Sequence, residues 1–215
     1  GLVGGNGITG GALSPWILAL LLFLAEDGTL YWLHRMYHTQ RYIWPIHAVH
    51  HKAEVMSPVT AYRQHPLALV LSVLVVSTCV GVVQGVVIGV VDPSTTIAQV
   101  AGVNAVLFTL SLVFANFRHS HIWISFGPVL ERILISPAQH QVHHSIDPAH
   151  HMKNFGETLA IWDWMFGTLY VAGAPKELTL GVVDEAGRPE PGADVLSDTL
   201  LRPLRDMAAA WRGQN

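Results

Sequence analysis

Two long apolar segments without charged residues constrain the fold of this chain most strongly. Residues 66–91 contain no charged side chain, and a helix of that length, at about 1.5 Å per residue, exceeds the membrane's hydrocarbon core of about 30 Å. Residues 97–117 are a second uncharged segment of suitable length, and the Asp-Pro-Ser-Thr-Thr sequence at 92–96 is typical of a tight turn. These features predict a membrane-spanning helical hairpin, because the alternative, a buried hairpin of a soluble domain, rarely reaches this length.

A third spanning helix is predicted at residues 15–33. Ser14 followed by Pro15 is a typical helix start, since serine caps a helix and proline fits its first turn. We expect the helix to continue through His38, so that its first histidines lie just outside the bilayer. Hydrophobic residues make up 51% of the chain and charged residues only 13%, whereas soluble domains carry about 25% charged residues. The prediction is an all-α integral membrane protein with about three spanning helices.

The basic residues predict the orientation of the chain in the membrane. All twelve Lys and Arg residues lie outside residues 1–33 and 66–117, and cytoplasmic segments are the ones that collect Lys and Arg. We expect a cytoplasmic, histidine-rich helical cap made of residues 34–65 and 118–215, with the N-terminus and the turn facing outward. No long linker divides the chain, so residues 1–215 are interpreted as a single domain. The net charge of −3 indicates no nucleic-acid partner.

Eight of the thirteen histidines fall in three tight clusters, with the patterns HxxxH, HxxHH and HxxHH. Helical residues three or four positions apart share a face, so each cluster aims its rings at a common point. Neutral imidazole is a common ligand for iron, zinc, copper and nickel, although a single such pair could also be a core set with its hydrogen bonds satisfied. Eight ligands are too many for one ion and about right for two. The candidates are His34, His38, His47, His50, His51, His140, His143 and His144.

Other known metal designs do not fit these clusters. The HxxxH cluster has Arg35 where an HExxH zinc protease has glutamate, and carboxylates are too sparse for a ferritin-like di-iron site. The better interpretation is a histidine-rich pair of metals beside a bilayer. The residues alone do not choose between iron and zinc.

Five segments resemble the fatty acid hydroxylase/sterol desaturase superfamily. Residues 27–38 read DGTLYWLHRMYH and are similar to its D-F-x-x-Y-W-x-H-R-x-x-H signature, and residues 44–51 read WPIHAVHH. Residues 136–144 read SPAQHQVHH, and KNFG at 153–156 precedes IWDWMFGT at 161–168, as in the superfamily's SPxxHxxHH…NYG…IWDxxFGT block. The resemblance covers roughly residues 27–171. It implies an integral membrane oxygenase with two irons, although zinc can occupy such sites in purified protein.

The resemblance also extends the set of site residues. It places a further ligand at the end of a spanning helix, where His119 stands, with His121 as a second-tier candidate. His65 is interpreted as structural, and the loop histidines His150 and His151 are expected to be exposed. A ligating imidazole usually donates its other N–H to an acceptor, and the side chains expected to orient the ligands in this way are Asp27, Asn154 and Asp163.

The implied function is O2-dependent hydroxylation or desaturation of an unactivated C–H bond in a membrane lipid, fatty-acyl or sterol-like substrate. The chain has no Rossmann glycine fingerprint and only one cysteine, so electrons are expected from a ferredoxin-like or b-type cytochrome donor fed by NAD(P)H. The substrate is expected to approach sideways from the lipid, through a cleft lined by Leu33, Val113 and Ala115.

Two other classes of protein remain as alternatives. A histidine-rich metal transporter or chaperone would place its ligands along a path at the membrane midplane. A zinc-dependent membrane hydrolase would need a general-base carboxylate inside a cluster, and none of the three motifs contains one.

Overall fold

The chain is helical, as its sequence predicts. A computed structural model describes residues 13–184, 186–190 and 195–213. Within these ranges it contains helices, short turns and three isolated antiparallel bridges, without an extended strand. The α-helices are α1 (Pro15–Thr39), α2 (Trp44–His51), α3 (Pro66–Val86), α4 (Ile97–Arg118), α5 (Gly127–Leu130), α6 (Pro137–His143), α7 (Ile161–Phe166), α8 (Leu196–Leu200) and α9 (Arg202–Trp211). The expectation for the N-terminus concerns residues 1–12, which lie outside the described ranges.

Three helices are long and apolar enough to cross a membrane, as predicted: Pro15–Thr39, Pro66–Val91 and Ile97–Arg118. The second consists of α3 and a π-helical turn, Val87–Val91. The first has 25 residues, and at about 1.5 Å per residue it extends beyond a hydrocarbon core of about 30 Å. The last turns of α1 can therefore project from the bilayer and carry His34 and His38.

The turn between α3 and α4 is held by one carboxylate. Asp92 accepts hydrogen bonds from the Leu13 N–H at 2.6 Å and from the Thr95 hydroxyl at 2.9 Å. Thr96 then caps α4, because its hydroxyl accepts from the Gln99 N–H at 3.3 Å while the Gln99 side chain accepts from the Thr96 N–H at 2.7 Å. These bonds tie the start of α1 to the tip of the hairpin.

Apolar contacts hold α1 against the hairpin. Leu18 and Leu22 of α1 are buried against Val87, Val100 and Leu107. Nearer the cap, a second apolar cluster joins the end of α1 to α2 and to the start of α3: its buried members are Leu33, Tyr37, Ile43, Ile46 and Ala68. The second cluster fixes α1 and α2 side by side, and both helices carry predicted ligands.

The end of the chain packs on this second cluster. Met207 of α9 lies against it, and Trp211 contacts Tyr42 edge-on with ring centroids 5.8 Å apart. The last helical segment of the chain is divided into α8 and α9 near Pro203, because proline lacks the N–H that would continue the hydrogen-bond ladder. Helix α9 thus covers one side of α2.

Candidate metal centre

Nine histidines from separate helices converge where α1 and α4 meet the cap. Two lie at the end of α1, three in α2, one directly after α4, and three in α6 and the residue that follows it. Each offers one ring nitrogen to one of two groups, within which the nitrogens lie no more than 4.8 Å apart. The members are His34, His38, His47, His50, His51, His119, His140, His143 and His144.

The spacing of each motif explains how its rings meet. His34 and His38 lie one turn apart on the same face of α1, with ring centroids 5.1 Å apart. Helix α6 begins at Ser136, whose hydroxyl accepts a hydrogen bond from the Gln139 N–H at 3.1 Å in a capping box. This capping box fixes the residue at which α6 begins, and so brings His140 to the site.

The first group, cluster one, contains five histidines: His34, His38, His47, His51 and His143. The Nε2 atoms of His47 and His51 are 3.2 Å apart. The ring of His143 lies 4.5 Å from that of His34 and 4.7 Å from that of His38, between centroids. Nitrogens bound to one metal at 2.0–2.1 Å are about 3.0–3.4 Å from each other. The separation of the two Nε2 atoms therefore matches ligands of a shared ion.

The second group, cluster two, contains four histidines: His50, His119, His140 and His144. The Nε2 atom of His119 lies 3.2 Å from Nε2 of His50 and 2.9 Å from Nε2 of His140. His119 follows α4 directly, so the end of a spanning helix supplies this position. Its placement agrees with the resemblance, which assigned a ligand to this end of a spanning helix.

Each HxxHH motif contributes to both clusters. In the first motif, His47 and His51 belong to cluster one and His50 belongs to cluster two. In the second motif, His143 belongs to cluster one, whereas His140 and His144 belong to cluster two. The clusters adjoin where His51 stacks on His144, with ring centroids 4.2 Å apart. Each HxxHH motif can therefore supply ligands to two neighbouring ions.

Burial keeps these imidazoles neutral near pH 7. Removal from water lowers the pKa of His50 to about 4 and that of His143 to about 3. The pKa of His119 falls to about 2, because burial acts together with the adjacent Arg118. Burial and neighbouring rings hold the pKa well below the ordinary 6.5 at His47, His51, His140 and His144. Neutral imidazole is the form that binds a metal.

The unpaired nitrogens fit a metal ion. Nε2 of His34 and of His143 is buried without a hydrogen-bond partner among the described residues, and the same holds for both ring nitrogens of His144. An unpaired buried polar atom costs about 1–3 kcal/mol. One ion in each cluster would satisfy Nε2 of His34, Nε2 of His143 and one of the two nitrogens of His144, and an all-nitrogen donor set suits borderline metals such as iron and zinc.

Backbone carbonyl groups orient three of the ligands. Nδ1 of His34 lies 2.9 Å from the Phe155 carbonyl oxygen, and Nδ1 of His143 lies 2.8 Å from that of Lys153. Nδ1 of His119 lies 2.6 Å from the Ala115 carbonyl oxygen. Each carbonyl oxygen accepts a hydrogen bond from Nδ1–H, which leaves the lone pair of Nε2 free for the metal. Sequence reasoning missed these acceptors because a backbone carbonyl has no side-chain signature.

Asp27 was expected to orient a histidine directly, and the structure places it elsewhere. Its carboxylate accepts hydrogen bonds from the N–H groups of Thr158 and Leu159 at 3.0 and 3.2 Å and from the Trp162 indole at 2.8 Å. Backbone N–H groups in a buried loop need acceptors, and this carboxylate supplies them. Asp27 therefore anchors a loop and does not touch a ring.

Asn154 and Asp163 have the same kind of role. Asp163 accepts from the N–H groups of Phe155 and Gly156 at 2.8 and 2.7 Å, and burial raises its pKa while these bonds lower it. The Asn154 amide bonds to the backbone of Tyr170 in both directions, at 2.7 and 3.0 Å. The expectation that Asn154 and Asp163 contact a ligating histidine directly was therefore wrong. They hold the loop whose carbonyl groups orient the ligands.

An ion pair beside the centre was not predicted. Glu157 pairs with Arg118, and its other oxygen lies 3.4 Å from Nδ1 of His34. Arg118 directly precedes His119, so the pair joins the end of α4 to the loop that orients His34. The only sequence signal is a glutamate just after the KNFG segment.

The remaining histidines lie outside both clusters. His121 is exposed, and His65 is bonded through Nδ1 to the Leu67 N–H at 3.1 Å and through Nε2 to the Leu200 carbonyl at 3.0 Å. His151 is exposed as expected, but His150 is buried, with Nε2 2.8 Å from the Lys176 ammonium. The expectation of an exposed His150 was therefore wrong.

A cavity of about 900 Å³ opens beside cluster one, where His38, His51 and His143 form part of its wall. Its opposite wall comes from α8, α9 and the segment around residues 181–184. Of the three residues expected to line a lateral cleft between α1 and the hairpin, Leu33 and Val113 line neither this cavity nor a smaller one between α1 and α4. Leu33 is buried in the apolar cluster between α1 and α2, and Val113 is 58% exposed. Ala115 lines a separate small cavity of about 130 Å³.

Comparisons with known proteins agree with the resemblance seen in the motifs. The model of the fatty acid hydroxylase family matches residues 19–168, a range that contains all nine histidines of the two clusters. No solved structure is significantly similar to the chain.

Curated relatives include several lipid-modifying enzymes. The chain is 34% identical to alkylglycerol monooxygenase from Xenopus tropicalis over 72% of its own length and 31% of the relative's. It is 26% identical to an ornithine lipid hydroxylase from Rhizobium tropici, over 80% of this chain and 47% of that protein. It is 27% identical to a Delta(7)-sterol 5(6)-desaturase from Aspergillus fumigatus, over 81% and 58%. The match thus spans about a third of the length of the alkylglycerol monooxygenases.

Proposed function

The chain belongs to the fatty acid hydroxylase family, and from that premise we propose that it oxidises an unactivated C–H bond of a membrane lipid with O2 at a pair of histidine-bound irons. The observation that carries the proposal is the division of both HxxHH motifs between two adjoining clusters. An all-histidine pair of sites with this connectivity provides nine ligands for two ions. The printed names of the relatives, a monooxygenase, a hydroxylase and a desaturase of lipids, support the same class of reaction.

The overall reaction requires electrons and protons from outside. In hydroxylation, one C–H bond and O2 with two electrons and two protons give an alcohol and water. In desaturation, two adjacent C–H bonds are lost, and the same inputs give a double bond and two water molecules. Bound iron would supply the O2 chemistry. The electrons are proposed to come from a ferredoxin-like or b-type cytochrome partner fed by NAD(P)H, since the chain's single cysteine cannot hold an iron–sulfur cluster.

The protein's own residues prepare the site for this reaction. The carbonyl groups of Phe155, Lys153 and Ala115 set the tautomers of three ligands. Eight of the nine histidines are buried and only His38 is partly exposed, which limits side reactions of a strong oxidant. The basic residues support a cytoplasmic position of the centre, where soluble reductants are available.

Oxygen-isotope incorporation tests the proposal. The protein in lipid nanodiscs, loaded with iron under argon, is supplied with ferredoxin, its reductase, NADPH and ¹⁸O2. Mass spectrometry of the lipids should detect one ¹⁸O per oxidised molecule, or the loss of two hydrogens if the product is an alkene. His143→Ala should abolish either product because it removes a ligand of cluster one, whereas the exposed His151→Ala should not. Unchanged lipids with iron-loaded, reduced protein would refute the proposed function.

A further inference from the structure

The cavity beside cluster one is large enough for a small ligand and directly contacts the site. Its volume of about 900 Å³ is within the range of about 300–1,000 Å³ that is typical of ligand pockets. His38, His51 and His143 form part of its wall. Trp44 lies next to two of these rings, with centroids 5.0 Å from His38 and 5.5 Å from His51. A molecule in the cavity can therefore reach cluster one.

The opposite wall is formed by residues outside the family match. The match ends at residue 168, whereas this wall includes Val182, Val195, Thr199 and Pro203. An ion-pair network joins the wall to α2: Glu190 accepts from the Lys52 ammonium at 2.7 Å and lies 3.5 Å from the Arg202 guanidinium. Selection of the ligand can thus depend on a segment that the shared catalytic region does not include.

Basic and acidic side chains both line this cavity. Its basic side chains are Arg41, Lys52, Arg63 and Arg202. Its acidic side chains are Asp184, Glu190, Asp198 and Asp206. A hydrocarbon chain would gain little from such a lining, because the charged groups that have no ion pair among the described residues, Arg41, Arg63 and Asp198, would lose hydration without receiving a partner. A group that carries both a cation and an anion can replace the lost hydration with charge-assisted hydrogen bonds at both ends.

The charges lie close to the proposed irons. Lys52 directly follows His51 in the chain, so their Cα atoms are about 3.8 Å apart, and its ammonium group turns into the cavity toward Glu190. A headgroup held by this network occupies the same cavity that His51 of cluster one lines. The far end of a long acyl chain cannot lie at the same place while the headgroup occupies the cavity.

We propose that this cavity binds the zwitterionic headgroup of the lipid substrate, and that the oxidised carbon lies in or next to that headgroup rather than at the far end of the chain. This inference rests on the proposed lipid oxidation. It assigns recognition of the headgroup to Glu190 and Arg202, and it assigns catalysis to the two histidine clusters.

Binding of matched amphiphiles tests the headgroup assignment without turnover. Iron-loaded protein in nanodiscs under argon is titrated calorimetrically with N-octanoyl-lysine, which is zwitterionic, and with N-octanoyl-norleucine, which lacks only the amine. The lysine compound should bind at least about tenfold more tightly, since a charge-assisted hydrogen bond contributes about 1.5–3 kcal/mol. Glu190→Gln should reduce that preference at unchanged iron content, because this carboxylate pairs with the amine, whereas Arg202→Gln should weaken the binding of both compounds, because both carry the carboxylate. The matched control is Arg205→Gln, an exposed arginine of α9 outside the cavity lining, and it should retain the preference. Equal affinity for both compounds would overturn the assignment.

Isotope loss tests the position of the reacting carbon. N-hexadecanoyl-lysine is prepared with deuterium either at acyl carbons 2 and 3 together with the lysine side chain, or at acyl carbons 14 to 16. Turnover with reductant and O2 should remove deuterium from the first compound only. Loss from the second compound alone would overturn the inference while leaving lipid oxidation intact. Headgroup binding with no oxidation of any lipid would instead refute the proposed function, and with it the assigned position.

Discussion

At the scale of single residues, hydrogen bonds to backbone carbonyl groups determine which nitrogen of each histidine is available. Nδ1 of His34 and of His143 faces a carbonyl oxygen, at 2.9 and 2.8 Å. Each ring must therefore carry its proton on Nδ1 and present a lone pair on Nε2. The same Nε2 atoms are buried without a partner among the described residues. The hydrogen bond to the carbonyl therefore fixes both the orientation of the ring and the nitrogen that is free to bind a metal.

The lowered pKa values predict how the metal-free protein responds to acid. The unfolded chain binds protons with a pKa near 6.5, whereas the folded pKa is about 4 at His50 and about 3 at His143. Each such histidine therefore contributes stability that is complete above pH 6.5 and is lost as the pH falls toward the folded value, by about 1.4 kcal/mol per pH unit. The unfolding temperature of the metal-free protein should decline steadily from pH 6.5 to 4.

A matched pair of variants isolates the contribution of the buried rings. His143→Asn removes one buried imidazole and should make the decline in unfolding temperature shallower. His151→Asn removes an exposed imidazole and should leave the slope as it is. An unfolding temperature that is constant from pH 6.5 to 4 would contradict the assignment of neutral, buried histidines.

Single-residue roles could be predicted only where spacing within the chain determines them. The HxxxH and HxxHH motifs indicated eight ligands because helical spacing alone aligns their rings. The pairing of His34 with the Phe155 carbonyl joins residues 121 positions apart, and no local pattern encodes it. Asp27 was expected to orient a histidine, but the loop that donates hydrogen bonds to its carboxylate is 131 residues away in the chain.

At the scale of elements, the loop at residues 153–159 depends on a glycine that has no room for a side chain. A Cβ atom on Gly156 would lie 2.5 Å from the Leu159 carbonyl oxygen and 2.9 Å from an Asp163 carboxylate oxygen. Gly156→Ala should therefore displace the loop, destabilise the protein by about 1–3 kcal/mol and lower the iron content, because the loop carries the carbonyl groups that orient His34 and His143. Iron analysis and thermal unfolding measure both effects.

A second glycine provides the control for that substitution. Gly102 lies within α4, and a Cβ atom there meets nothing within 4 Å. Gly102→Ala should retain the full iron content and should be neutral or slightly stabilising, since alanine favours a helix by up to about 1 kcal/mol over glycine. Identical behaviour of the two variants would show that the loop does not control the ligands.

The elements themselves were predicted with unequal success. The three long helices were evident from apolar runs and from caps such as Ser14-Pro15, which are local signals. The division of the C-terminal helix near Pro203 and its packing through Met207 onto α2 depend on contacts across the whole chain. The sequence also led us to expect that substrate enters through a lateral cleft. The cavity beside cluster one instead opens toward α8 and α9, whose position depends on the same long-range contacts.

At the scale of the whole molecule, the basic residues predict that the metal centre faces the cytoplasm. With Cys79 replaced by alanine, a cysteine at Pro93 in the turn before α4 should react with an impermeant thiol reagent on intact cells. A cysteine at the exposed Glu177 of the cap should react only after permeabilisation. The reverse pattern would place the centre away from its proposed reductant and overturn the predicted orientation.

The number of metal ions per chain tests the account most directly. The central claim is that five histidines of cluster one and four of cluster two hold one ion each. Elemental analysis of protein purified from iron-replete cells should therefore find close to two metal ions per chain, and zinc in place of iron would still agree, because the same imidazole sites accept both. A single metal ion per chain in a fully active preparation would contradict the two-metal centre.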